Sequence, residues 1–214
     1  MDRRNLLMAG AGVLGNAAAG RIRLLYTEAG PYRPIGDIPF TSDLTAMGKA
    51  PGDLIQVEGS LQDQLGVPLA DARITIWQAD DNGNYMHVNA PNQSDLVPSF
   101  LYRASTVTDG DGAYSFKTII PGSYEYQGIR RAPHIHFELY LRGACLATTE
   151  MYFDGPRDRN LRAQDAVWLS RSSSLRSSLI AAPSSHSPAR RDQFKPYRFD
   201  LVLDKANGQI CQSK

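Results

Sequence analysis

Arg130-Arg131-Ala132-Pro133-His134-Ile135-His136-Phe137-Glu138-Leu139-Tyr140-Leu141 alternates polar and apolar side chains from His134 onward. Ile135, Phe137, Leu139 and Leu141 hold the odd positions, and His134, His136, Glu138 and Tyr140 hold the even ones. Side chains of a strand alternate between its two faces, so this period of two predicts a strand with one core face. His134 and His136 then project side by side from the other face, where two imidazoles can chelate one metal ion. An isolated H-x-H is also what an ordinary polar face carries, and Glu138 continues that face as a third candidate donor.

The same alternation recurs along the chain. Ile74 and Ile76 alternate with Thr75 and Trp77, and Tyr114, Phe116 and Thr118 with Ser115 and Lys117. Tyr197, Phe199, Leu201 and Leu203 alternate with Arg198, Asp200, Val202 and Asp204. Turn-forming residues separate the runs: Asp81-Asn82-Gly83, Asp109-Gly110-Asp111-Gly112, Pro121-Gly122, Asp154-Gly155-Pro156 and Asn207-Gly208. Short strands at this spacing predict an all-β fold, an antiparallel β-sandwich with long loops and a short helix. No strong helical period lies between the strands, which argues against a parallel α/β chain. Residues 157–196 depart from the pattern. Leu161 to Leu169 reads as a short helix, and the serine-rich stretch 170–187 as a long surface loop or an excursion covering one end of the sandwich.

The 214 residues suffice for one domain with an arm. Lys and Arg total 23 against 22 Asp and Glu, so no basic excess supports a nucleic-acid role. A hydrophobic content of 42% excludes a wholly disordered chain. No apolar run of about 18 residues predicts a membrane span. Cys145 and Cys211 are too few for a four-thiolate zinc site, but they could pair if the protein is exported.

Residues 1–20 run from Arg3-Arg4 through a mildly apolar stretch to Ala17-Ala18-Ala19, the order of a twin-arginine export signal, so an exported, periplasmic protein is expected; a plain flexible arm on a cytoplasmic protein is the alternative. Gly10-Ala11-Gly12-Val13-Leu14-Gly15 matches the dinucleotide fingerprint, but only nine residues precede it and no strand does. Residues 21–50 read as an extended arm containing Gly30-Pro31-Tyr32-Arg33-Pro34, residues 51–206 as the sandwich, and residues 207–214 as a tail.

Tyr85 follows the turn Asn82-Gly83-Asn84, and Tyr124 follows Pro121-Gly122-Ser123. Taken alone, either is an ordinary loop-end tyrosine packing its ring and wetting its hydroxyl. Taken in order, Trp77-Gln78-Ala79-Asp80, Gly83-Asn84-Tyr85, Asp109-Gly110-Asp111-Gly112-Ala113-Tyr114-Ser115-Phe116, Thr118-Ile119-Ile120-Pro121-Gly122-Ser123-Tyr124 and Arg131-Ala132-Pro133-His134-Ile135-His136-Phe137 resemble the intradiol ring-cleavage dioxygenases. The likeness is nearest the iron-bearing β-subunit type of protocatechuate 3,4-dioxygenase and runs from about residue 30 to residue 205.

The resemblance implies one Fe(III) per chain, held by Tyr85, Tyr124, His134 and His136. Phenolates are hard anionic donors suited to a trivalent ion. It also implies cleavage of a catechol between its two hydroxyl-bearing carbons with O2, giving a muconate-type diacid. Tyr124 would act as a base for a substrate proton, and Arg131 would stabilise charge developing on the ring. Trp77 and Glu150 would line the substrate pocket. Glu150 departs from the neutral Gln of close relatives, so an anionic ring substituent is expected to be disfavoured. The loop from Tyr124 to Arg131 is also shorter than theirs. The partners implied are a small catechol and O2, with no nucleic acid, and a homo-oligomer needs no iron-free subunit. Two other readings remain at this point: a non-catalytic transthyretin-like binding module, and a copper or zinc site built on His134, His136 and Glu138.

Overall fold

The computed structural model describes residues 27–184 and 193–203. The export signal expected over residues 1–20, the tail from residue 207 and Cys211 lie outside the described residues. In chain order the strands are β1 (Leu54–Asp63), β2 (Arg73–Trp77), β3 (Arg103–Val107), β4 (Ala113–Ile119), β5 (Tyr124–Tyr126), β6 (Ile129–Arg131), β7 (His134–Leu141) and β8 (Ala144–Tyr152). The helices α1 (Pro156–Arg162), α2 (Ala166–Leu169) and α3 (Ser173–Ser178) follow, then β9 (Ala182–Pro183), β10 (Lys195–Arg198) and β11 (Leu201–Leu203). No helix is long and apolar enough to cross a membrane among the described residues.

Two sheets form the sandwich. One has the order β3-β2-β7-β8, antiparallel throughout. In the other, β1 pairs antiparallel with β4 on one edge and parallel with β10 and β11 on the opposite edge. This second sheet is therefore mixed rather than purely antiparallel. The run that alternates from Tyr197 to Leu203 is also not one strand. It breaks at Phe199-Asp200, where Asp200 Oδ1 accepts from the Ser60 backbone N–H at 2.9 Å. A Cβ on Gly59 would lie 1.9 Å from the Phe199 carbonyl oxygen, so only glycine lets the two backbones approach there.

The core lies between the sheets. Ile55, Val57 and Leu61 of β1 and Phe116 of β4 meet Ile74, Ile76, Ile135, Phe137 and Leu139 of the other sheet. Phe137 is its hub, with ring centroids 5.8 Å from Phe116 and 5.3 Å from Phe199. Burying such a side chain contributes on the order of 1.5–3 kcal/mol.

The outer face of the four-stranded sheet is buried as well. The arm from Thr27 crosses it, starting from a backbone bond to Thr148 of β8 and ending on backbone bonds around Ser105 of β3. Midway, Arg33 pairs with Glu138 of β7 at 2.8 Å. The excursion after β8 covers the adjoining end and is folded: the serine-rich stretch contains α3, whose N-cap Ser172 accepts from the Leu175 N–H. Thr75, Trp77, His134, His136, Glu138, Thr148, Glu150 and Tyr152 are consequently all buried behind the sheet.

Candidate metal centre

Strand register builds the centre first. Trp77 of β2 is opposite His136 of β7, and His136 is opposite Glu150 of β8. The next pair on the same face is His134 with Tyr152. Alternation thus delivers a row of Trp77, His136 and Glu150, with His134 and Tyr152 beside it. Trp77 stacks flat on the His136 ring, with centroids 4.8 Å apart and planes 4° from parallel.

Loops bring the tyrosines. Asp80 is fully buried, and its carboxylate accepts from the backbone N–H groups of Asn82 and Asn84 at 2.9 Å each, folding the loop that ends at Tyr85. The Asp80 carbonyl accepts from the Gly122 N–H at 2.7 Å, tying that loop to the one that presents Tyr124. The contact leaves no room for side chains. Gly83 has φ +89°, and a Cβ there would lie 2.3 Å from the Ser123 carbonyl oxygen. The two tyrosine rings meet edge to face with centroids 5.1 Å apart. Tyr124 lies 5.7 Å from the His134 ring and Tyr85 lies 6.4 Å from the His136 ring.

His134 Nδ1–H donates to the Ala132 carbonyl at 2.6 Å, which fixes the tautomer and frees Nε2. That nitrogen is 3.1 Å from His136 Nε2. Burial holds the His134 imidazole well below its ordinary value, with Arg131 acting in the same direction, and it lowers His136 to about 4. Both rings are therefore neutral at pH 7 and able to donate a lone pair. The Tyr85 and Tyr124 hydroxyls and His136 Nδ1 are buried and make no hydrogen bond of ordinary geometry. Burial also raises both phenols well above their ordinary value, so an added positive charge is needed to ionise them at pH 7. Buried polar atoms without partners are costly, and a cation held between these donors would satisfy them.

The two carboxylates singled out from the sequence behave differently. Glu138, the candidate third donor, is taken by Arg33 and by the Tyr140 hydroxyl at 2.6 Å. Glu150 instead approaches the histidines, with Oε1 at 4.0 Å from His134 Nε2 and 3.9 Å from His136 Nδ1. Its ligand atom and those of the two histidines lie within 4.8 Å of one another. Both Glu150 oxygens are already engaged, however. Arg131 Nη2 donates to Oε1 at 3.3 Å, while Arg171 Nη2 and the Tyr152 hydroxyl donate to Oε2 at 2.6 and 2.7 Å. Burial alone would raise the Glu150 carboxyl, but the positive groups facing it hold it well below the usual carboxylate range.

Arg131 is buried beside this centre. Its Nε donates to Asp165 at 3.2 Å and its Nη2 to the Tyr152 hydroxyl at 3.0 Å. Asp165 also accepts from the Ala132 N–H at 2.9 Å and caps α2 through the Trp168 N–H at 3.0 Å. Asp165, Arg171 and Tyr152 join the site unannounced by the sequence, and Gly30 and Tyr32, expected only as part of an extended arm, reach it as well. Tyr32 packs 4.8 Å from Tyr85 and 5.8 Å from Tyr124, and a Cβ on Gly30 would lie 3.1 Å from the His136 ring. The arm's glycine-proline-tyrosine run is visible in the sequence, but Arg171 in its serine-rich setting gives no signal. Cys145 follows the two-residue turn Arg142-Gly143, both at positive φ, and is disulfide-bonded.

Fold and site together define a class: a two-sheet sandwich with a buried histidine, tyrosine and arginine cluster on the outer face of one sheet. Residues 28–205 match the family model described as Dioxygenase. The chain belongs to the intradiol ring-cleavage dioxygenases, a family of oxidoreductases. It is 32% identical over 172 residues to the protocatechuate 3,4-dioxygenase beta chain of Burkholderia cepacia, covering 78% of this chain and 71% of that one. It is 28% identical to the hydroxyquinol 1,2-dioxygenase of Nocardioides simplex, covering 84% of this chain and 64% of that protein. Among solved structures, the dioxygenase domain of a dioxygenase and carbohydrate-binding protein fusion from Streptomyces sp. SirexAA-E superposes with a TM-score of 0.62 at 28% identity. That match covers 84% of this chain and 97% of that domain.

Proposed function

We propose that the protein opens a catechol-type ring between its two hydroxyl-bearing carbons with O2, giving a muconate-type diacid, and that it holds one Fe(III) per chain through Tyr85, Tyr124, His134 and His136. The observation that carries this reading is the convergence of two neutral imidazoles with two buried phenols whose hydroxyls make no hydrogen bond of ordinary geometry. The donor set fits the ion, because hard phenolates favour a trivalent hard cation and imidazole suits iron. Donation from His134 Nδ1 to the Ala132 carbonyl is the outer support that metal-binding histidines generally have. A ferric ion held there would supply the Lewis acidity that draws electron density from a bound catecholate.

The chain's own residues supply the rest. Tyr124 Oη, ionised against the bound cation, is the base that would take a substrate proton. Arg131 presents a fixed cation, oriented by Asp165 and Glu150, towards charge that develops on the ring. Trp77, stacked on His136, forms one apolar wall, and Tyr32 forms another where the arm crosses the sheet. The arm and the helical excursion exclude water from the reacting atoms.

A metal held by His134, His136 and Glu150 is the second arrangement, and the engagement of both Glu150 oxygens by Arg131, Arg171 and Tyr152 weighs against it. Against a non-catalytic transthyretin-like module weigh the four converging donors and the family. Since one chain carries all four donors, a homo-oligomer would need no unlike subunit.

The reaction is tested by oxygen uptake with catechol. Consumption of one O2 per ring with an ultraviolet-absorbing muconate as product supports the proposal. A yellow semialdehyde, formed by cleavage outside the diol, or no uptake by the iron-loaded protein, would overturn it.

A further inference from the structure

The reaction proposed above makes no use of Arg171, yet this residue makes the shortest ion pair beside the centre. Arg171 Nη2 lies 2.6 Å from Glu150 Oε2, against 3.3 Å for Arg131 Nη2 to Oε1. The Arg171 and Glu150 side chains are only 10% and 2% exposed. Arg171 arrives from the helical excursion, and its guanidinium also lies over the Tyr152 ring. The network contains two cations, Arg131 and Arg171, and two carboxylates, Glu150 and Asp165. Each cation has a carboxylate partner, and the formal charges cancel.

That balance bears on what the site can accept. A carboxylate on a substrate ring is costly to bury unless an unpaired cation meets it. Here no arginine of the network is unpaired. The reason to expect weak binding of an anionic ring is therefore not direct repulsion by Glu150, because two arginines compensate that charge. The reason is that Glu150 consumes the cation an anionic substituent would need.

We propose that Glu150 and Arg171 form a matched pair that selects catechols without a charged ring substituent over carboxylated ones. The proposal rests on the ring-cleavage reading. Glu150 Oε1 lies 4.0 Å from His134 Nε2, 3.9 Å from His136 Nδ1 and 3.3 Å from Arg131 Nη2, so a unit charge at the pair acts on the centre over several ångströms of low-dielectric interior. Removing one member changes the site by a full charge, and the two removals act in opposite directions. Removing both restores the balance.

The test compares iron-loaded parent, Glu150→Gln, Arg171→Gln and the double variant. Each is titrated without oxygen with catechol and with protocatechuate, and binding is read from the visible spectrum. The parent should prefer catechol. Glu150→Gln should shift the affinity ratio towards protocatechuate, and Arg171→Gln should shift it away, each on the order of tenfold for a unit charge at about 10 Å. The double variant should return to the parent ratio. A structural defect would weaken both ligands alike, so a ratio constant across all four proteins, or both single variants moving it the same way, would overturn the proposal. A parent that prefers protocatechuate would overturn it too. Failure of every protein to respond to either diol would count against the ring-cleavage reading instead. The pairing is then still decided by thermal unfolding of the metal-free proteins. Each single variant should lower Tm, and the double should lower it by less than the sum. Strict additivity would show that the two side chains do not act as a pair.

Discussion

The two faces of strand β7 are equally buried and do opposite things. Ile135, Phe137 and Leu139 point inward to a predominantly apolar core. His134, His136 and Glu138 point outward, and what buries them is not a second large sheet but the arm, the segments carrying Tyr85 and Tyr124, and the helical excursion. The inner face contributes stability through packed area. The outer face gathers buried polar groups, and their atoms are costly unless something pairs with them. One strand thus separates, by alternation alone, the residues that pack the core from the two histidines proposed to hold the metal.

The sharpest way to break this comparison is to substitute neighbours on the two faces. Phe137→Ala should cost about 3–5 kcal/mol of unfolding free energy by denaturant titration, because it opens a cavity at the core hub. Whatever fraction stays folded should still bind iron. His136→Gln should do the reverse, weakening iron retention by more than about 100-fold in a chelator competition, with a smaller effect on stability. If Phe137→Ala abolished iron binding in the folded protein, or if His136→Gln destabilised as much as the core variant, the division between the faces would fail.

Acid should act on the outer face first. His136 titrates near 4 in the folded metal-free protein, against an ordinary value of 6.5. A depressed folded value means the unfolded chain takes up the proton first. Its contribution is therefore complete above pH 6.5 and is lost as the pH falls towards 4. The difference corresponds to about 3 kcal/mol. Unfolding of metal-free protein followed between pH 7 and pH 4 should show that slope, and His136→Gln should reduce it while leaving the share of His134, which burial depresses as well. A parent slope that survives the substitution unchanged would assign it elsewhere.

A smaller effect is expected where the two tyrosine loops touch. Gly83→Ala combines an unfavourable positive φ with a contact to the Ser123 carbonyl. It should cost roughly 1–3 kcal/mol by thermal unfolding and move the visible band of the iron-loaded protein. A loss of stability with no change in that band would show that the loop contact does not set the tyrosine geometry.

The sequence disclosed the β7 alternation, and with it the shared face of His134 and His136, because period two is a local property. It disclosed the tyrosines through their turns. It did not disclose β1 as a strand, although that strand's burial alternates without a break. Gly59 and Ser60 dilute its apolar signal, and burial there is set by partners distant in the chain. Nor did it disclose that the outer face is covered. The ion pair of Arg33 with Glu138 and that of Arg171 with Glu150 join residues far apart in sequence. A lone arginine in a serine-rich stretch has no period or spacing to announce it. The mixed second sheet went unread for the same reason, since parallel pairing of β1 with β10 and β11 depends on a chain reversal that passes through all the intervening elements.

The central claim is that two tyrosines and two histidines on the outer face of one sheet form a ferric centre open to a diol. The measurement that tests it most directly is the visible absorption spectrum of the iron-loaded protein, recorded before and after catechol is added without oxygen. A broad visible band from phenolate bound to ferric iron is expected, which shifts when the diol enters and is weakened in Tyr85→Phe and Tyr124→Phe. A protein that stays colourless after iron loading, or a band that neither tyrosine substitution alters, would contradict it.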